Sequence, residues 1–430
     1  MWHIYGKKYD LTRFLDKHPG GKDILLKTRS SLDEPNAVDL TVDLTPLFES
    51  YHAFSDMDKI KNILSKYEVV DYDASGSVVN TYTKFTFDTY HELVQRIKPL
   101  FPDRASVKAP ATWHFQVIIT VCLYVTSFYY AAFSNYVVWL RCVLGVLAGI
   151  GIESLAFTCM HDSSHYAVTQ SPRINWMVSK LTNSWILWNS NLWFRHHVLH
   201  HHSFTGMAKD AGTLCFDPDL YHLYPFANKL SMRRSAPFYQ NVYTTFGFAC
   251  IFPGMHLGQA LIYLYSTRIG RLFGIKLPST THYTRMDWVI MFANMYCLYR
   301  AGIAVTMAYI LAMNLCYSIN VFFDHDTFES AVENHCGGTG MDWARMQIMH
   351  SGNFLNGSWV WTRLFGGINY QIEHHLFPNM SHVYYPVIAP IVREFCREKG
   401  IPYVHHPTLA SAFRSYMKML RFRNELQIKN

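Results

Sequence analysis

Charge is scarce in this chain. Of its 430 residues only 16% are Asp, Glu, Lys or Arg, against about 25% in a soluble globular protein. Half are hydrophobic and 16% are aromatic, so an ordinary soluble globule is excluded and a membrane is implied. Cysteine is short on pattern rather than number. The nine cysteines are scattered, odd in count and free of any C-x-x-C pair. That argues against a disulfide framework or a cysteine-built zinc site and favours a reducing compartment. No arginine-rich stripe with interleaved aromatics is present, which removes nucleic acid as a partner. The opening residues do not read as a signal peptide, because Trp2 to Phe14 alternate polar and apolar like the first strand of a folded domain.

The net charge of +7 is uneven. Residues 1–70 carry 10 Lys/Arg against 11 Asp/Glu, a net −1, leaving +8 on the remainder. A basic body suits an anionic cytoplasmic leaflet, where each Lys or Arg near the surface contributes about 1 kcal/mol. Residues 1–70 read as a small soluble domain of mixed strands and helices, residues 71–90 as a linker around Ser75, Gly76 and Ser77, and residues 91–430 as a membrane body.

Phe115–Phe133 is an uncharged run of 19 residues, about the length that crosses the hydrocarbon core. Ser134 and Asn135 make a turn, and Tyr136–Phe157 supplies the return span. Asp287–Phe323 is a run of 37 residues with Arg300 as the charge inside it, followed by Gly302. As a single span it would put residues 267–286 on the far side. That loop holds Arg268, Arg271, Lys276 and Arg285 and no acid, which the positive-inside rule disfavours. The preferred reading makes residues 288–323 a second hairpin turning near Arg300 to Gly302, with residues 241–266 lying in the interface. The body is then all-α with about four transmembrane helices. Either topology makes two crossings between His202 and His325, so all histidine clusters share one side, the cytosolic one if the N-terminal domain is cytosolic.

Those clusters are the main feature of what is present. Imidazole is the commonest metal ligand and suits iron, copper, nickel and zinc. One zinc ion takes about four ligands, so eight or more clustered histidines suggest two metal ions. His161 and His165 form an i, i+4 pair that falls on one face if the second span continues as a helix. The alternative is a pair of surface histidines at a membrane exit. The general-base Glu of a zincin motif is absent there. From Trp193 to His202 five histidines occur; His197, His201 and His202 share a helical face, while His196 and His200 form a competing pair. The third cluster places His374 and His375 beside Gln371 and Glu373, and His325 ends the last apolar run. Asp217, Pro218 and Asp219 read as a turn, and of the remaining histidines only His350 and His382 merit attention.

At the N-terminus His18, Pro19, Gly20 and Gly21 form an H-P-G-G turn, and Phe48 to His52 form a second motif. Two histidines from separate loops can clamp a haem iron axially, with the glycines letting the turn approach the porphyrin.

With these motifs the chain resembles the cytochrome b5-fusion fatty-acid desaturases of the front-end type, over residues 2 to about 395. The resemblance rests on H-P-G-G at His18, H-D-x-x-H at His161, H-x-x-x-H-H at His197 and Q-x-x-H-H at Gln371. It implies an α+β haem-binding domain, cytochrome b5-like, fused to an all-α integral membrane desaturase domain with a cytosolic histidine-rich cap. By similarity His18 and His52 bind haem b. His161, His165, His197, His201, His202, His325, His374 and His375 hold two non-haem irons, with Gln371 as a weak or water-mediated ligand. It further implies an O2-dependent, multi-pass enzyme of the endoplasmic reticulum membrane with its catalytic side cytosolic. Electrons come from NADH-cytochrome b5 reductase, and the substrate is a fatty acyl-CoA or an acyl-phospholipid. The new cis double bond falls between an existing one and the carboxyl end of a polyunsaturated chain. Asp162, Asp324, Asp326 and Glu373 are the candidates to orient the imidazoles.

The chain departs from the family at Gly206, where asparagine is usual after Thr205, and at Pro237 to Asn241, which lack the histidines relatives show there. The gap between His18 and His52 is also longer than in free cytochrome b5. A sphingolipid long-chain-base desaturase and a fatty acyl hydroxylase share the same motifs. A membrane-anchored haem electron carrier is the alternative of another class, and would hold haem iron only.

Overall fold

The computed structural model describes residues 1–29, 42–70, 85–207, 254–272, 275–277, 281–332 and 341–429. Most of the expected linker (71–84), the first half of the expected interfacial stretch (241–253), the turn at Asp217 to Asp219 and the departure at Pro237 to Asn241 lie outside the described residues.

The chain opens with a two-stranded antiparallel ribbon, β1 (Trp2–Ile4) and β2 (Lys7–Tyr9), with Trp2 opposite Tyr9. Two strands are marginal alone and need a packing surface. Helices α1 (Lys22–Thr28), α2 (Thr45–His52) and α3 (Met57–Ser65) supply it. Asp56 starts α3 by accepting from the Lys59 amide at 3.1 Å, satisfying one of the orphan donors of a helix start. Trp2, Ile4, Leu11, Leu44, Leu47 and Leu64 are buried in one cluster that also takes in Tyr166, Phe194, Val198 and Leu199. The N-terminal elements are thus seated on the segment that carries the second histidine motif. A bond from the Arg195 guanidinium to the Lys27 carbonyl, 3.0 Å, ties the same two regions.

After α4 (Asp88–Ile97) come two long apolar helices, α5 (Ala111–Phe133) and α6 (Val138–Leu155). They pack along each other, and α6 also packs along α11 (Ile303–His325), introduced in its place below. A Cβ at Gly149 would lie 2.3 Å from the Tyr309 carbonyl oxygen, and one at Gly145 would lie 3.0 Å from that of Val305. Small residues let helix backbones approach this closely, the usual packing device where lipid removes the hydrophobic drive. The outward faces of α5 and α6 leave Phe115, Ile118, Leu123, Val143 and Leu147 exposed. Such a belt is sustainable in lipid and costly in water.

Next come α7 (Pro172–Trp185), the short α8 (Ser190–Trp193), α9 (Gly254–Ile269), α10 (Arg285–Ala301) and α11. The Lys180 ammonium meets the Asp287 carboxylate at 2.7 Å in a buried pair that also engages Ser184, fixing the start of α10 against α7. Three helical stretches among the described residues are long and apolar enough to span a membrane: Ala111–Phe133, Val138–Ser164 and Ile303–His325. The second runs beyond the expected end at Phe157, because its polar continuation is buried in protein rather than lipid. The turn expected near Arg300 falls at Gly302, whose φ of +81° breaks the run into α10 and α11. Helix α10, 17 residues with Asp287 and Arg300 near its ends, is shorter than those three. The described part of the stretch 241–266 is helical; its Tyr263 is buried against Trp188 while Leu261 and Tyr265 are exposed.

The C-terminal part comprises α12 (Trp343–Met349), α13 (Gln371–Leu376), α14 (Tyr385–Lys399) and α15 (Leu409–Lys429), with a short parallel pair, Asn353–Phe354 and His405–His406. Tyr90, Leu93, Ile97, Trp343, Ile372, Leu376, Phe377 and Ile388 form its core. This core holds α13, the carrier of the third histidine motif, against α4 and α12.

Candidate metal centre and the adjoining cavity

The first of the two central histidine motifs begins at the last residue of a wide-turned helix, and the second sits on one. Ala156–His161 and Phe194–His201 are π-helical, with bonds from i to i+5, a form that often marks functional sites. This changes the expected phase. The α-helical reading put His197, His201 and His202 on one face. In the wider turn His197 and His202 face each other, Nε2 to Nε2 3.3 Å. His201 turns instead toward His325 and His375, with ring centroids 4.7 and 4.8 Å away.

Two sets result. His161, His165, His197, His202 and His374 form one, and His201, His325 and His375 the other. Within each set, ligand nitrogens lie within 4.8 Å of one another, and all but the half-buried His325 are buried. In the first, His161 Nε2 is 3.0 Å from His197 Nε2. In the second, Gln371 Nε2 lies 2.7 Å from His325 Nε2 and 3.2 Å from His375 Nε2, with its Oε1 buried and unpartnered. The amide N–H groups there satisfy two imidazole lone pairs, a place a cation takes if the amide turns to present its oxygen. All nine expected site residues of the body therefore converge. His196 stands apart, its Nδ1 3.1 Å from the Tyr263 hydroxyl and 3.3 Å from Gln259 Nε2. Neither it nor His200 joins a set.

The imidazoles are held by mostly neutral partners. His165 Nδ1 meets the Tyr51 hydroxyl at 2.8 Å. His374 Nδ1 meets that of Tyr385 at 3.1 Å, which itself donates to the Met380 carbonyl. His375 Nδ1 meets Gln347 Oε1 at 2.7 Å, and His325 Nδ1 meets the His350 carbonyl at 2.7 Å. Such bonds fix the tautomer and leave Nε2 as the ligand atom. In His165 and His374 that Nε2 is buried without a partner, a cost of the kind that metal binding removes. Burial, reinforced by neighbouring imidazoles, pushes His165, His197, His202, His374 and His375 well below the usual histidine range. They stay neutral, the form that binds metal. Neutral nitrogen donors in this number fit a pair of transition-metal ions.

Of the carboxylates expected to orient the rings, Asp162 and Glu373 make their short bonds elsewhere. Asp162 bonds His382 Nδ1 at 2.7 Å and Trp113 Nε1 at 3.1 Å, and stays 3.9 Å from His161 Nδ1. Glu373 is taken by Asn353 and Tyr403, both at 2.8 Å, and burial pushes it up to about 7. Asp324 has a buried, unpartnered Oδ1 and contributes its backbone carbonyl to Gly352. Neutral partners avoid adding fixed charge to a desolvated site. Tyr51, Tyr385, Gln347 and Thr205 are the residues sequence reasoning missed. The Thr205 hydroxyl lies 2.6 Å from the His201 carbonyl oxygen and 2.8 Å from Gln347 Oε1, either of which can take its one proton. Gly206 has a local cause: at φ +74° a Cβ would lie 2.3 Å from the His350 ring.

Beside this centre lies a mostly apolar cavity of about 460 Å³, lined by His18, Gly20, Phe48, Tyr51, His52 and Leu64 among others. His18 Nδ1 is 3.1 Å from the Gly21 carbonyl and His52 Nδ1 is 2.7 Å from that of Phe48, leaving both Nε2 atoms to the cavity. The two rings lie 6.4 Å apart, centroid to centroid. Burial lowers both, His52 to about 4. Arg104, Lys108, Tyr166 and Asn379 complete the wall from the body of the protein.

Comparison with known proteins places this geometry. Residues 137–407 match the model of the family described as fatty acid desaturase. The chain is 29% identical to an acyl-lipid (8-3)-desaturase of Mortierella alpina, over 97% of this chain and 92% of that one. It is 26% identical to acyl-lipid (8-3)-desaturase B of Dictyostelium discoideum (98% and 90%) and 25% identical to an acyl-lipid (8-3)-desaturase of Physcomitrium patens (97% and 87%).

Proposed function

Because the chain belongs to the fatty acid desaturase family, we propose that it is a front-end acyl desaturase acting on a polyunsaturated fatty acyl chain. The observation that carries this reading is the convergence of eight histidines and Gln371 into two adjoining sets. Acyl-lipid desaturases among its relatives support a lipid-bound acyl group over acyl-CoA.

Residues 1–70 form the haem domain in this reading, 71–90 the linker and 91–430 the membrane body, with α10 as the fourth crossing beside the three longer stretches. The basic body supports a catalytic side that meets an anionic leaflet such as the cytosolic one of the endoplasmic reticulum. His161, His165, His197, His202 and His374 hold one iron; His201, His325 and His375, with Gln371, hold the other. His18 and His52 clamp haem b, since their Nδ1 atoms are already bound to carbonyls. Iron at the paired sites supplies the O2-derived oxidant that an unactivated methylene demands and no side chain provides.

The reaction balances as follows. The acyl chain gives up two hydrogen atoms, two electrons supplied singly from NADH-cytochrome b5 reductase and two protons from solvent complete the four-electron reduction, and O2 leaves as two waters. A haem held by His18 and His52 would relay those electrons. The protein's part is positional. Tyr51, Tyr385 and Gln347 fix the imidazole tautomers, and the buried shell around them keeps bulk water from the oxidant.

Feeding defined polyunsaturated acids to yeast expressing the wild type or His201→Ala tests this. A new double bond on the carboxyl side of an existing one, located by gas chromatography with mass spectrometry and absent from the variant, is the expected result. A hydroxylated or sphingoid product would replace the assignment.

A further inference from the structure

One residue touches both sites. Tyr51 lines the cavity that holds His18 and His52, is the chain neighbour of His52, and bonds His165 Nδ1 through its hydroxyl at 2.8 Å. Its partner is 114 residues away in sequence and fully buried, with its remaining nitrogen, Nε2, directed at no protein group. The backbone of Tyr51 is pinned as well. The Asn379 side chain donates to its carbonyl at 2.9 Å, and the Asn379 carbonyl accepts from the buried Lys108 ammonium at 2.9 Å. Lys108 also reaches the Tyr166 carbonyl at 2.9 Å, so the residue after His165 is held by the same brace.

We propose that Tyr51 is the positioning residue that couples the haem cavity to the five-histidine set. Its phenol fixes the tautomer of His165 and provides the covalent and hydrogen-bonded route between the two cofactor sites. This rests on the reading of His18 and His52 as haem ligands. In each transfer the ferrous haem loses one electron and becomes ferric, and the metal centre held by His165 gains it. No bond is made or broken, and the Nδ1 proton of His165 stays in its hydrogen bond to the Tyr51 phenol oxygen. Tyr166, next to His165, also lines the cavity, but among the described residues the hydrogen bond from an N-terminal side chain to the His165 ring is that of Tyr51.

The test uses the full-length protein, haem- and iron-loaded, in nanodiscs, with Tyr51→Phe, which removes only the hydroxyl. Haem content, the rate of haem reduction by the reductase and the KM for acyl substrate are expected to stay at wild-type values, and iron content to match the wild type after reconstitution with excess iron. Haem reoxidation in single turnover, followed by the Soret band, is expected to slow roughly 10- to 100-fold, the usual cost of losing a group that orients a metal-bound imidazole. The Mössbauer signature of the non-haem iron should shift with it, a change that a merely structural contact would not produce. Wild-type reoxidation with an unshifted signature overturns the proposal. A variant short of iron would be replaced by 3-fluorotyrosine at position 51. This keeps the bond but makes the phenol more acidic, and an unchanged iron signature there overturns the proposal equally. Absence of a Soret band from the wild type, or its persistence in His18→Ala, defeats the haem reading itself and is distinct from either result.

Discussion

The two histidine sets share two segments, residues 194–202 and α13, yet they differ in saturation. One gathers five buried imidazoles; the other gathers three, with an amide from Gln371 between two of them. Five nitrogen donors satisfy most of an ion's coordination positions, whereas three leave several for other ligands. The difference also shows in the supports. The five-histidine set is steadied by two tyrosine hydroxyls, Tyr51 and Tyr385, and the three-histidine set by Gln347 and a backbone carbonyl. Two sites so built are not interchangeable, and substitution should tell them apart.

The largest contrast is expected from removing a ligand. His375→Ala takes one of three imidazoles and should empty its site, abolishing product and halving non-haem iron as measured by elemental mass spectrometry. His202→Ala takes one of five; product should also vanish, but with more of the iron retained. Equal iron loss in the two variants would break the comparison.

Acid comes next. His197, His202, His374 and His375 have folded-state values held below the histidine norm of about 6.5. Above that pH the folded and unfolded chains are both neutral at these rings, and their contribution to stability is complete. Below it the unfolded chain gains protons that the buried rings refuse, so stability and metal retention fall. Iron content should therefore decline as pH drops from 7 to 5 and hold steady from 7 to 8. Retention through pH 5 would contradict the neutral, desolvated state assigned to these rings.

Gln371→Leu sharpens the comparison further. It removes the amide from the three-histidine set and touches nothing in the other. Activity should fall roughly 10- to 100-fold, with iron lost only from the weaker site. A uniform loss from both would show the sets to be one cooperative unit.

Repetition made the histidines legible in sequence. Their clustering beside apolar runs required no fold to be noticed, and the long helices followed from run length and the break at Gly302. The phase of the second motif was not legible. Deciding between His197 with His201 and His197 with His202 requires knowing that Phe194–His201 is π-helical, and helical periodicity alone assumes the tighter turn. The supports were hidden for another reason. Tyr51, Gln347 and Tyr385 are ordinary residues brought to the rings by packing between distant segments. The acids that looked suitable from proximity in sequence, Asp162 and Glu373, are taken by His382 and by Asn353 with Tyr403. Gly206 shows that a departure from a family pattern can have a local cause, since the His350 ring fills the space a side chain would need.

The smallest effect expected separates the supports themselves. Tyr385→Phe strips the hydroxyl from His374 Nδ1 and leaves that buried donor unmet, a cost of about 1–3 kcal/mol. Gln347→Leu removes more, because the same side chain serves His375, Thr205 and the His202 carbonyl. Among the four supports named, it is the one that reaches both sets. Thermal unfolding of the metal-free proteins should therefore rank Gln347→Leu below Tyr385→Phe, and the iron of both sets should loosen in the former but only that of the five-histidine set in the latter. If Tyr385→Phe proved the more damaging, the network through Gln347 would be redundant with its neighbours. The two sets would then be coupled through the shared π-helical segment rather than through their side-chain supports.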